Sequence, residues 1–400
     1  MRLLAFVVGF SFCLGVILDA FQTIILPRRP AGRFRITRIF FILTWAPWSG
    51  LSERLGNKRF REQMYSIYGP LSLLLLLVVW GFFLVVGFAC LYFSLGSPFG
   101  DAMVHPEGGR AARFATDLYV SGTTLFTLGL GDVVPRSLMA RALITFESGT
   151  GLGFVALVIG YVPVLYQAFS RREVSVALLD ARAGSPPTAT ELIRRHGFDG
   201  GEHALVELLA EWERWSAEIL ESHISYPLLC YYRSQHDNQS WLSALVAILD
   251  TCALLIAIVE GTAARQAQLT FAIARHALID LNHVFHLREN EQRVAGRDRL
   301  PPAEFRRLCD GLGDVSLRLC GDAESGERLH RIRALYEPHA LRLSEYLRMD
   351  LPLWIPEKRS RDQWTTIAQV RNEAEAVLGI TAFVSDRATS ANLHGDEHQH

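Results

Sequence analysis

The stretch Thr127-Leu128-Gly129-Leu130-Gly131-Asp132 decides how the rest of the chain is read. Glycine at every second position permits backbone angles closed to other residues, and such angles can aim successive carbonyls at one axis. Thr127 adds a hydroxyl at one end. The letters alone carry little, because Gly311, Leu312, Gly313 and Asp314 repeat them in a polar part of the chain. Context separates the two copies. The second has no long apolar segment on either side and reads as a turn. The first lies between two apolar segments long enough to cross a bilayer, where irregular backbone must be shielded by protein.

Those flanks come first. Residues 71–93 form an apolar run of 23 residues without a charge, and residues 138–169 form a longer one that ends at Arg171 and Arg172. Between them lie a polar loop (96–109), a short amphipathic segment (112–126) and the TLGLGD stretch. Further upstream, residues 3–26 are apolar enough to cross, with Arg2 before them and Arg28, Arg29, Arg33, Arg35 and Arg38 after them. That polarity is the reverse of a cleavable signal and puts the C-terminal end of the first span in the cytoplasm. Residues 39–48 are apolar but short, contain Pro47, and precede Arg54, Lys58, Arg59 and Arg61. With basic flanks on both sides they read as an interfacial segment anchored by Trp45 and Trp48. Three basic clusters thus agree on one topology, in which the TLGLGD loop enters from the external side and returns to it.

Two acids fall within these spans. Glu147 at membrane depth is a functional candidate by default, or a partner for Arg141 or the amphipathic segment; Asp19, near the end of the first span, reads as reaching the interface.

At 400 residues the chain has room for two or three domains. Half of its residues are hydrophobic and its net charge is −1, which excludes a bulk nucleic-acid role. The near-neutral total divides into an apolar unit up to about residue 170 and a charged, helix-forming remainder. Cys13, Cys90, Cys230, Cys252, Cys309 and Cys320 show no paired spacing, which fits a reducing compartment for the C-terminal part.

Outer span, amphipathic segment, TLGLGD and inner span together resemble the potassium-channel pore family over residues 66–172. The family pattern is T-V-G-Y-G-D; Thr127, Gly129, Gly131 and Asp132 match it, while Leu128 and Leu130 replace valine and the aromatic. A GLG filter is similar to the second pore loop of tandem-pore potassium channels. The resemblance implies a selectivity filter of Thr127, Leu128, Gly129, Leu130 and Gly131, supported by Asp132 and a pore-helix aromatic, Tyr119. It also implies a hinge at Gly151, for which close helix packing with Gly149 and Gly153 is the alternative. Pro163 is a candidate bend near the inner gate. A filter of this kind needs four loops about one axis and the chain has one, so a homotetramer is expected. No arginine ladder suggests voltage sensing.

The C-terminal half reads as all-α. Leu205, Leu208, Leu209, Trp212, Trp215 and Ile219 fall at helical spacing, and similar patterns recur over 242–259, 263–287, 303–312, 329–347 and 364–378. Segment 242–259 is apolar enough for a span, but its length, Asp250 and lack of basic flanks favour a buried core helix. No strand alternation or glycine-rich turn of a dinucleotide-binding domain is present. His276, Asp280 and His283 share a helix face as low-ranked metal candidates. His394, His398 and His400 belong to a disordered tail.

The expectations are therefore an all-α protein with an N-terminal anchor and interfacial segment (1–65), a pore domain (66–172), an inner-helix extension and connector (173–201), a cytoplasmic helical domain (202–381) and a tail (382–400). The expected function is a tetrameric potassium channel in the lipid bilayer. It has no catalytic residues, no cofactor and no nucleic-acid partner, and K+ is the permeant ion. The alternatives are a weakly selective cation channel, and a membrane-anchored sensor or scaffold with a non-conducting pore.

Overall fold

The computed structural model describes residues 1–26, 35–101, 109–196, 201–235, 239–258, 262–287, 298–312 and 323–356. Gly313, Asp314, Cys320, segment 364–378 and the tail 382–400 lie outside them. Helices dominate, as the all-α reading expects. The first, α1 (Arg2–Ala20), runs on through a wider turn, Phe21–Ile25, and packs along α3 (Lys58–Ser94). The Asn57 side chain starts α3 by accepting from the Arg59 amide at 3.0 Å. Between these two helices in sequence lies α2 (Ile36–Glu53).

The anchoring role at the membrane interface read for Trp45 and Trp48 of α2 is corrected. Trp45 is buried among Tyr65, Tyr68 and Tyr231, and its Nε1 donates to the Tyr346 carbonyl at 2.9 Å. Trp48 Nε1 donates to the Met64 carbonyl at 3.0 Å. An indole needs an apolar body contact and one acceptor, and here the protein supplies both. Asp19 is corrected too. Its Oδ2 accepts from the Thr37 amide (3.0 Å) and from Trp80 Nε1 (3.0 Å), so it is a buried joint between α1, α2 and α3.

The part that follows comprises α4 (Arg110–Leu125), the TLGLGD segment and α5 (Leu138–Ala183). Ser137 caps α5 by accepting from the Ala140 amide at 3.2 Å, and Gly184 with φ +85° ends it. At 1.5 Å per residue, the 46 residues of α5 span about 69 Å, more than twice a hydrocarbon core of about 30 Å. Its second half therefore continues beyond the bilayer, where Tyr161, Leu165, Phe169, Val176 and Leu179 are buried in one core with the C-terminal helices. Two three-residue strands escaped the sequence reading. β1 (Phe99–Asp101) and β2 (Val133–Pro135) pair antiparallel, Phe99 opposite Pro135, and tie the loop after α3 to the chain leaving the TLGLGD segment.

The connector of residues 184–201 contains a packed helix, α6 (Ala189–His196), with Leu192 and Ile193 fully buried. Then follow α7 (Gly201–Ser225), a 3-10 turn (Pro227–Tyr231), α8 (Trp241–Ile258), α9 (Thr262–Val284) and α10 (Pro302–Gly311). The expected single helix over 329–347 is two, α11 (Ala323–Arg333) and α12 (Glu337–Leu347), broken at residues 334–336 ahead of Pro338. Helix α8 is the apolar segment that imitates a span. Ninety-four per cent of it is buried inside the protein, against 17% of the most apolar window of α5, so it is the core helix of a bundle, packed chiefly on α9 and α11.

Candidate functional site: the TLGLG loop and its supports

Residues 127–132 follow directly on the C-terminal end of α4. Thr127, Gly129 and Gly131 have φ of +59°, +54° and +78°, while Leu128 and Leu130 between them do not take positive φ. A change of hand at every second residue turns consecutive peptide units the same way round, so amides share one side and carbonyls the other. The amide side is the pore helix: the Leu128 and Gly129 amides both donate to the Thr123 carbonyl, at 2.8 and 3.3 Å. Thr127 is β-branched, and a β-branched residue in the left-handed region is strained; such strain persists only where the surroundings hold it and clusters at functional sites. The hold here is the Thr127 amide on the Thr124 carbonyl, 3.0 Å.

Supports surround the loop. Tyr119 Oη donates to Asp132 Oδ2 at 2.7 Å, the pairing expected from sequence. Glu147 is buried, accepting from Ser121 Oγ of α4 at 2.5 Å and from Tyr92 Oη of α3. Of its alternative roles, the structure selects the partner of the pore helix, and Arg141 stays exposed. One acid thus ties the three helices that carry the loop.

Gly151 faces the last turn of α4. A Cβ built there would lie 2.0 Å from the Leu125 carbonyl oxygen, a backbone atom two residues before Thr127, whereas Gly149 and Gly153 have open space. Close approach alone accounts for glycine at 151. Gly151→Ala is expected to lower stability by about 1–3 kcal/mol through overpacking. Thermal melting of the purified protein checks this; unchanged melting with altered open probability would support a hinge instead. Pro163 lies on the exposed side of α5, which is helical on both sides of it.

Arg172 is a structural joint that sequence reasoning counted only as a basic flank. It is buried, and its guanidinium donates to the Leu229 and Tyr232 carbonyls, both at 2.9 Å, and to Glu173. The inner helix is fastened here to the C-terminal half. Nothing local in the sequence separates Arg172 from its exposed neighbour Arg171. Arg172 Nη1 also lies 3.3 Å from His223 Nε2; since arginine only donates, Nε2 accepts and the neutral ring keeps its proton on Nδ1.

Burial, and then the Arg172 charge, hold His223 well below the ordinary imidazole value of 6.5. The unfolded chain takes up this proton as pH falls through 6.5 and the folded chain does not, so stability falls on the acid side. The slope from this group is about 1.4 kcal/mol per pH unit below 6.5. Wild type is expected to lose more melting temperature than His223→Gln between pH 7.5 and 5.5; equal losses would contradict the assignment.

His276 and His283 flank Asp280 on α9, at 3.4 and 3.8 Å, and both imidazoles are largely exposed. Among the described residues no group of three or more side chains has metal-site geometry.

Comparison with known proteins gives three findings. Residues 73–167 match the family model described as "Ion channel". The chain is 25% identical over 204 residues to the "Uncharacterized membrane protein YdjJ" of Bacillus subtilis (strain 168); the match covers 51% of this chain and 56% of that protein, so the chain spans little more than half of its relative's length. No solved structure matches significantly. The resemblance to a channel pore is therefore borne out for residues 73–167, and the chain is a multi-pass membrane protein carrying an ion-channel domain.

Proposed function

With residues 73–167 as an ion-channel domain, we propose that four copies of this chain form a potassium-selective channel whose filter is Thr127 to Gly131. The observation that carries the reading is the positive φ at residues 127, 129 and 131, which faces the carbonyls away from the pore helix. Stacked rings of such carbonyls replace the hydration shell of a cation, and repulsion between neighbouring ions in single file releases them. One chain supplies one loop, and Leu128 and Leu130 are 63% and 62% exposed in the single chain, as surfaces awaiting other copies would be.

Under the orientation given by the basic clusters, the C-terminal half is cytoplasmic. It biases the inner helices through Arg172 and the apolar face that starts at Tyr161. No covalent chemistry is involved. Leu130 favours one second reading, a weakly selective cation channel, because it stands where the family has an aromatic brace. Reversal potentials in opposed potassium and sodium gradients separate the two: a shift following potassium alone supports the first, and a potential near zero supports the second.

A further inference from the structure

A cavity of about 270 Å³ opens where α1, α2, α3 and α5 meet the C-terminal helices. Thr23, Leu76 and Tyr161 all line it, and each comes from a different membrane-crossing helix. Counted from the outer ends of those helices at 1.5 Å per residue, they lie at depths of between about 27 and about 35 Å. Three independent counts thus place the cavity one hydrocarbon thickness from the external surface, at the level of the cytoplasmic headgroups.

Its walls combine cationic and polar side chains with apolar surface. Arg38 has no ion-pair partner among the described residues. Arg35 is engaged, its Nε 3.5 Å from Asp19 and its Nη2 donating to Thr23 at 2.7 Å. Asp280, the carboxylate in the wall, is flanked by His276 and His283. Phe41 and Ile42 continue the cavity along α2, and Ile42 is 54% exposed at its mouth.

We propose that this cavity takes the headgroup of an anionic phospholipid of the cytoplasmic leaflet, its phosphate on Arg38 and the start of its acyl chain along Phe41 and Ile42. A lipid seated there touches α2, the inner helix at Tyr161 and α9 at once, so its occupancy couples membrane composition to the joint between pore and C-terminal half. The inference rests on the orientation proposed above but not on conduction, and it is tested by binding rather than flux.

The test is thermal unfolding of the full-length protein in neutral detergent with added phosphatidylglycerol, phosphatidylcholine of the same chain length, or inorganic phosphate. Phosphatidylglycerol is expected to raise the midpoint while the other two do not. Arg38→Gln weakens the apparent affinity about tenfold, the loss of one charge-assisted bond. Arg59→Gln, an exposed control, leaves it unchanged. Ile42→Trp, which obstructs the exposed mouth, gives the same loss as Arg38→Gln and serves if that variant does not fold. An equal response to phosphatidylcholine, an equal response to inorganic phosphate, or an undiminished phosphatidylglycerol response in both cavity variants would overturn the proposal.

Discussion

Gly129→Ala is expected to abolish potassium flux while leaving an assembled protein. Gly129 holds φ +54°, and a Cβ there meets nothing within 4 Å in the single chain, so the variant is not blocked by collapse of the fold. The cost is conformational. An L-residue with a side chain pays about 1–2 kcal/mol in the left-handed region, and a fourfold filter pays it four times, about 4–8 kcal/mol in all. The segment relieves this by returning residue 129 to negative φ, which turns a neighbouring carbonyl off the common side and breaks two adjacent rings. Flux into liposomes, with size-exclusion chromatography as the check on assembly, reads the outcome. Wild-type flux from an intact Gly129→Ala assembly would sink the filter assignment.

Arg299→Met is expected to destabilise the C-terminal bundle by about 3–5 kcal/mol, the cost of stranding a buried charge. Asp250 lies fully buried in the otherwise apolar α8. Arg299 meets it with two bonds, Nη1 to Oδ1 at 3.1 Å and Nη2 to Oδ2 at 2.6 Å, and also donates to Glu337 and the Pro352 carbonyl. Burial lowers the Arg299 pKa, and the carboxylates of Asp250 and Glu337 more than offset it, so the guanidinium stays charged. Removing it leaves Asp250 with the Tyr336 hydroxyl at 2.5 Å and no counter-charge among the described residues. Replacing both members, Arg299→Met with Asp250→Leu, is expected to recover most of the loss, since an apolar pair of similar volume carries no stranded charge. Melting of the single and double variants checks this. A double variant no more stable than Arg299→Met would mean that packing, not charge, dominates the site.

Such pairs mark the limit of what sequence carried. Spans, pore helix, the Tyr119–Asp132 bond and the core character of α8 were legible because each depends on a short pattern: an apolar run, a periodicity, an acid at a fixed distance from an aromatic. Partners far apart were not. Trp45 finds Tyr346, Arg172 finds Leu229 and Asp250 finds Arg299, and no local spacing announces these contacts. For Trp45 the same aromatic signal suits a membrane interface or a tyrosine-lined core, and only the fold decides. One signal was present but unused. The 32-residue, mainly apolar segment 138–169 would make about 48 Å of helix, too long for a core of about 30 Å. That surplus marked the turns from Tyr161 that dock on the helical half. Gly151 gave an ambiguous signal, since a glycine that allows bending and a glycine that makes room look alike until Leu125 is seen against it.

The central claim is that copies of this chain conduct potassium through residues 127–131. Potassium flux through purified wild-type protein in liposomes, against protein-free liposomes, tests it most directly. The account predicts flux that follows a potassium gradient and is carried far less well by sodium. Absence of flux under every ionic and lipid condition would contradict it and leave the pore fold serving as a membrane-anchored scaffold.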